Sequence, residues 1–296
     1  MIQSWLRKRP PTGSWTVFSF TVVWVLGVVV PMLGVMLLSF MHASVNHIDF
    51  TPTLSAYADV LTSGRWEVTT RTIRIALVVT GVQLVLGFPF ALWLAKGARS
   101  LTLQVATWTL LTAPFFLSAA ARTIVWRPVL GLYGLVNTEL MHLGITHAPV
   151  TWLLFSEPAV HFGLFAPYFP NMVWPIFLAI ILIDDELIQA SKDLGGSPAD
   201  TFRLVILPLS MPGVVAGFVF TFVPMLGDHV VTKLLGGEQV QMLGTAMFDL
   251  ITAMNYTVAA AMSTVVLLIM LLLFGAFWLL MRPLGGVAVI FQGLKR

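Results

Sequence analysis

"QASKDLGGSPADTFRLVILPLSMPG", residues 189–213, is a polar, punctuated stretch set between long apolar segments that carry almost no charge. Asp184, Asp185 and Glu186 stand just before it, and negative charge there suits a helix N-terminus, where it meets unsatisfied amides and the helix dipole. Leu187, Ile188, Ser191 and Leu194 then recur at spacings of three and four, one face of a short amphipathic helix. Gly195 and Gly196 stop that helix, because glycine accepts the left-handed turn that closes it. Ser197-Pro198-Ala199-Asp200 starts another: serine caps, proline takes the first helical position, and Asp200 sits where a capping box wants an acid. Pro208 and Pro212-Gly213 are expected to end this second helix and redirect the chain. The expected product is a stiff helix–turn–helix hairpin lying at a membrane surface.

The membrane follows from what surrounds the hairpin. The chain is 58% hydrophobic and 10% charged, with a mean hydropathy of +0.91, too little charge to cover the surface of a water-soluble domain of 296 residues. Six intervals free of charge and histidine, 10–41, 75–95, 100–121, 162–183, 204–227 and 250–281, run 21 to 32 residues each. A helix of roughly 20 apolar residues crosses a hydrocarbon core of about 30 Å. The fold class is therefore all-α: a polytopic bundle of six transmembrane spans, near 13–40, 72–95, 101–122, 157–182, 212–234 and 255–281, forming a single domain over 1–296. Arg7, Lys8 and Arg9 precede the first interval, which is too long for a signal-peptide core and lacks an A-x-A site, so it is read as an uncleaved helix.

Six spans put both termini on one side. Arg7, Lys8, Arg9, Lys96, Arg99, Lys192, Arg203, Arg282, Lys295 and Arg296 share that side, ten basic residues against six opposite (Arg65, Arg71, Arg74, Arg122, Arg127 and Lys233). The bias places both termini and the hairpin of this multi-pass chain in the cytoplasm. The sequence pI near 9.4 reflects this bias and gives no reason to expect nucleic acid as a partner.

Chemistry is absent by motif. Cysteine is missing, which excludes disulfides and thiolate metal sites. Phosphate-loop, nucleophile-elbow and H-E-x-x-H patterns do not occur, and the histidines form no metal array. No catalytic residue, metal or cofactor is expected. The spans instead carry proline: Pro89 in the second, Pro167, Pro170 and Pro175 in the fourth, Pro224 before Gly227-Asp228 in the fifth. Such breaks free backbone carbonyls that only protein or a water-filled cavity can satisfy, as in a protein that moves. No repeat relates the two halves of the chain, which argues against the competing class, a stand-alone secondary transporter built from inverted repeats.

The hairpin resembles the signature cytoplasmic loop of ABC importer permeases: EAA, three residues, Gly, nine residues, Ile, one residue, Leu-Pro. Gln189-Ala190-Ser191 takes the EAA place, Gly195 follows after three, Val205 stands for Ile, and Leu207-Pro208 closes it. The spacing is kept while Gln189, Ser191 and Val205 are substitutions. "LGFPFALWLAKGA" (86–98), "RTIVW…GLYGLVN" (122–137) and "LGDHVVTKLLGG" (226–237) are similar to segments of the spermidine/putrescine (type I) permease group.

The resemblance implies a core permease domain over 68–282 and a coupling loop over 184–212 whose helix seats in a groove of an ATPase. Gln189, Ala190, Ser191, Asp193, Gly195, Leu207 and Pro208 are the coupling residues it implies. It also implies the partners: two cytoplasmic ATPases that hydrolyse the ATP, an extracytoplasmic solute-binding protein, and a second, homologous permease in a heterodimer.

Substrate-path candidates are Asp228, as an intramembrane carboxylate, with Trp126 and Tyr133, whose aromatic faces suit an organic cation, and Lys233 at the entrance. Asp228 alternatively pairs with Arg122 or Arg127 for structure. Where the polyamine group commonly has an acid, this chain has Lys233. The expected solute is a polyamine or related organic cation; an amino-acid derivative or anionic organic solute is the alternative.

Overall fold

The computed structural model describes residues 12–44, 47–49, 51–98 and 100–281. Arg7, Lys8, Arg9, Arg99, Arg282, Lys295 and Arg296, all counted in the charge bias, lie outside these. Among the described residues the regular structure is helical apart from an antiparallel pair of three-residue strands, β1 (His42–Ser44) with β2 (His47–Asp49). The described residues up to Ser63 together with Leu250–Leu267 form one compact unit, and Gly64–Asp249 with those from Leu268 onward form another.

The first unit holds α1 (Thr12–Trp24), a wider π turn, α2 (Val30–Leu38) and α3 (Ser55–Thr62). Ser39 and Tyr57 hydroxyls are hydrogen-bonded at 2.7 Å, and the Phe40 ring leans on Tyr57 at 5.3 Å. That ties the end of α2 to α3.

The second unit carries α4 (Arg65–Leu92), α5 (Leu101–Thr112), the short α6 (Ala119–Ile124), α7 (Trp126–Leu130) and α8 (Leu135–His142). Then follow α9 (Glu157–Ile181), α10 (Asp185–Asp193), α11 (Pro198–Thr201) and α12 (Leu207–Leu226). Helices α13 (Leu243–Thr252) and α14 (Tyr256–Met281), the last among the described residues, each have residues in both units. Five helical runs among the described residues are long and apolar enough to cross a membrane: Thr16–Leu38, Arg65–Gly97, Thr151–Ile181, Pro198–Leu226 and Tyr256–Ala276. The pair Leu101–Phe116 and Ala119–His142, bent by 107°, makes a sixth if taken as one span.

Three expectations need correction. The third span is not one helix over 101–122: Pro114 pulls the end of α5 into a tighter 3₁₀ turn, Leu117 is extended, and Ser118 caps α6 by accepting from the Ala121 amide at 3.1 Å. The second span starts at Arg65, after Gly64 in the left-handed region (φ +76°), rather than at 72. The fifth helix does not run over 212–234. It enters without a break from the hairpin and stops at Leu226.

Helices α4 and α9 run parallel and are tied at both ends. Arg74 clasps Glu157 through two hydrogen bonds of 2.8 and 2.7 Å, and Lys96 reaches the Ile183 carbonyl at 2.7 Å and Asp185 at 2.6 Å. Between the ties lies a core of Phe88, Ala91 and Leu94 against Met172, Val173, Ile176, Phe177 and Ile180. Trp108 of α5 packs on Trp174 and Phe177 at 4.1 and 4.4 Å between ring centres.

Helix α12 runs antiparallel to α9 at a distance only glycine permits. A Cβ on Gly217 would stand 2.8 Å from the Met172 carbonyl oxygen, and one on Gly213 would collide with the Pro175 carbonyl. The Gly213–Gly217 spacing is the small-xxx-small pattern by which membrane helices approach closely, where dispersion rather than exclusion of water holds them. The same contact satisfies a broken ladder. Pro224 cannot donate to the Phe220 carbonyl, and Asn171 Nδ2 donates to that oxygen instead, at 3.2 Å.

Gly217→Ala is therefore expected to destabilise by about 1–3 kcal/mol through overpacking, read as a lower melting temperature of the purified protein. Gly81→Ala, in open space on α4, is the control. Equal melting temperatures for the two variants would refute the close approach.

Candidate functional site

Two places combine function-like residues: the hairpin, and the break after α12. In the hairpin, α10 begins with Asp185 and Glu186, which its dipole favours, and carries Lys192 in its last turn ahead of Asp193. Lys96 fixes its start, bonding both Asp185 and the Ile183 carbonyl just ahead of it. Gln189 donates to Asp193 one turn on, at 3.2 Å, with both side chains exposed. The turn is a complete Schellman closure: the Gly196 amide reaches the Ser191 carbonyl and the Gly195 amide the Lys192 carbonyl, each at 2.9 Å.

The two glycines serve different needs. Gly195 has φ +82° with open space around it, so its requirement is conformational; a Cβ on Gly196 would lie 2.7 Å from the Ser191 carbonyl. The capping box is present, with the Asp200 amide donating to Ser197 Oγ (3.2 Å) and the Ser197 amide donating to Asp200 Oδ2 (3.0 Å). Exposed at this turn, the Asp200 carboxyl is held below the usual carboxylate range by hydrogen bonds from the Ser197 side chain and backbone. Ser191 and Thr201 hydroxyls, 2.9 Å apart, staple the hairpin's two helices together.

Leu207-Pro208 and Pro212 do not end the second helix, contrary to expectation. The helical run continues from Pro198 to Leu226. A π turn over Phe202–Ile206, closed by the Leu207 amide on the Phe202 carbonyl, opens the ladder just ahead of Pro208. The extra residue relieves the clash a proline ring would otherwise make one turn back. Ile188, Phe202 and Leu207 turn inward onto the α4–α9 core, with the Phe202 ring edge-on to Phe88 at 5.5 Å. Gln189, Ala190 and Asp193 face outward, beside Leu194, which is 89% exposed.

At the other place, α12 stops at Leu226 and Asp228 lies in the gap. Its Oδ1 accepts from the Val231 amide at 2.8 Å, and its Oδ2 accepts from the Tyr168 hydroxyl, also at 2.8 Å. Among the described residues no ion pair joins Asp228 to Arg122 or Arg127. Lys233, on the π turn Thr232–Gly236, pairs with Asp249 at 3.4 Å and lies over the Phe248 ring at 4.9 Å. Trp126 packs edge-on against Phe162 at 4.7 Å. Tyr133 is exposed and lines a separate 420 Å³ cavity with Trp152, Phe155 and Gln239. Neither aromatic shares a hydrogen bond or ring contact with Asp228 among the described residues.

Residues 83–282 match the family described as the binding-protein-dependent transport system inner membrane component. The chain belongs to that family. This permease is 31% identical to the spermidine/putrescine transport system permease protein PotB of Escherichia coli strain K12, over 88% of its own length and 94% of that protein's. It is likewise 31% identical to PotB of Salmonella typhimurium, over 88% and 91% of the two chains. A bacterial ABC transporter that imports the acidic polysaccharide alginate shares the fold at 20% identity, with a TM-score of 0.63 over 88% of the permease and 94% of that chain. The permease is an inner-membrane, multi-pass subunit of an ABC importer.

Sequence reasoning missed Lys96, Tyr168 and Asn171. Lys96 was legible as the cation that ends the apolar interval 75–95. Tyr168 and Asn171 sit among prolines in "FAPYFPN" with no periodic signal, because their partners lie on α12 and beyond it.

Gly195→Val is expected to add about 1–3 kcal/mol of backbone strain while the chain still inserts. Amide exchange across 187–201 then accelerates; exchange at the wild-type rate would show that the turn does not depend on the left-handed residue.

Proposed function

We propose that this permease forms half of the translocation path for a polyamine or related organic cation, driven by ATP hydrolysis on separate subunits. Identity to two spermidine/putrescine permeases over most of the chain supports the solute class. The observation that carries it is Asp228, a carboxylate at a helix break in a membrane domain, held by neutral donors only. A charge kept unneutralised at such depth is retained for something that passes, and a cationic solute is its natural counter-charge.

Lys233 does not oppose this reading, since Asp249 and the Phe248 ring already engage its ammonium. We keep Trp126, half-covered by Phe162, and exposed Tyr133, in its separate cavity, as candidate aromatic surface for such a cation.

The hairpin within 184–212 is the surface we assign to a cytoplasmic ATPase. Exposed Gln189, Ala190, Asp193 and Leu194 form the contact, Ser191 and Gly195 its rigid frame, and Leu207-Pro208 the join to the span. This orientation puts both termini in the cytoplasm and the Arg74–Glu157 end toward the solute-binding protein. Residues 1–296 act as one permease domain, paired with a second, homologous permease to complete the path.

Asp228→Asn is expected to reduce uptake of the cation at least tenfold at equal amounts of assembled complex, while Lys233→Glu is neutral or mildly favourable. Radiolabelled uptake into proteoliposomes measures both. Loss of uptake confined to Lys233→Glu would instead assign an anionic solute.

A further inference from the structure

Among the described residues Arg122 lacks the side-chain partners that three other cations of this unit have. Arg74 is clasped by Glu157, Arg127 lies over the Phe155 ring at 5.4 Å, and Lys233 is paired with Asp249. Arg122 Nε is buried without a partner among the described residues, and Nη1 reaches only the Pro114 carbonyl, at 3.5 Å. A guanidinium offers five donors in a fixed fork that matches a carboxylate. The Tyr168 hydroxyl on α9 donates to Asp228, and α6, which carries Arg122, packs against both α9 and the Thr232–Gly236 turn just beyond Asp228. Among the described residues neither the carboxylate nor the guanidinium is in an ion pair.

Both charges sit at breaks that can hinge. Arg122 is on α6, which follows the 107° bend after Phe116 and packs against the Thr232–Gly236 turn. Asp228 is in the non-helical gap between Leu226 and the next turn. Gaps in otherwise rigid helices are where large dihedral changes are absorbed during domain motion.

We propose that Arg122 and Asp228 form an ion pair in a second state of the transport cycle, closing the path, and that a cationic solute opens it by taking the carboxylate. In this state Arg122 replaces Tyr168 on Asp228. A cation then competes with the guanidinium for the same oxygens, so the path yields to a charged solute and stays shut without one. The competing step rests on the solute reading above; the pairing does not.

The test is a double-mutant cycle on ATP hydrolysis by the assembled importer in the absence of solute, so its outcome is independent of the solute's charge. Arg122→Gln and Asp228→Asn are each expected to raise this idle hydrolysis roughly tenfold, within the range of conformational couplings. The double variant is expected to rise no further than either single, since the second change has nothing left to break. Arg122→Lys, which keeps the charge, is expected to stay near the wild-type rate and shows that a rise in Arg122→Gln is not misfolding. Multiplicative effects in the double variant, or unchanged idle hydrolysis in both singles, would overturn the pairing. Intact pairing with uptake of an anionic solute would overturn only the competing step.

Discussion

The close approach of α12 to α9 is the contact on which the rest depends. Gly213 and Gly217 lie under the carbonyls of Pro175 and Met172, and no other residue type fits there. In lipid there is no exclusion of water to drive helices together, so distance and complementary hydrogen bonding decide. The approach brings Asn171 within reach of the carbonyl that Pro224 leaves bare and sets Tyr168 against Asp228. Without it, the Phe220 carbonyl and Asp228 Oδ2 would each lose the partner that α9 supplies.

The same helix joins the two functional places. The capped turn at Ser197 and the carboxylate at Asp228 stand at opposite ends of one helical run, roughly 44 Å long at about 1.5 Å per residue. The π turn ahead of Pro208 lets that run pass through prolines that would otherwise bend it. At the hairpin end Lys96 binds α10 to the α4–α9 pair, and the Ser191–Thr201 bond binds α10 to α11. Under the proposed coupling role, a displacement of the hairpin would reach the gap at Gly227-Asp228 as a rigid-body movement of α12. The break lies where such a movement would change what the carboxylate touches.

Local features were legible from the sequence because their causes are local. The S-P-x-D cap, the double glycine and the acidic start of α10 are each written within four residues of where they act, and all are in place. The spans were legible from their charge-free lengths. Proline was misread because its effect depends on neighbours. Pro208 and Pro212 looked like stops, yet an extra residue in the preceding turn absorbs one and the helical run continues through the other. Pro114, inside a span that looked continuous, is where the chain turns, with Ser118 ready to cap the next helix. Of the candidate path residues, Asp228 stands at a break as its flanking Gly227 suggested, while the partner that holds it, Tyr168, is sixty positions away and has no local mark.

The continuity of α12 with the hairpin is tested most directly by a distance. Spin labels on Ala199→Cys and Phe220→Cys, both exposed positions in a chain without native cysteine, span the two prolines in question. A rigid helix holds them roughly 30 Å apart along the axis. The expected result is one narrow distance distribution that is the same in the nucleotide-free and vanadate-trapped importer. A second population, or a shortening on trapping, would place a hinge at Pro208 or Pro212 and contradict rigid transmission from the hairpin to Asp228.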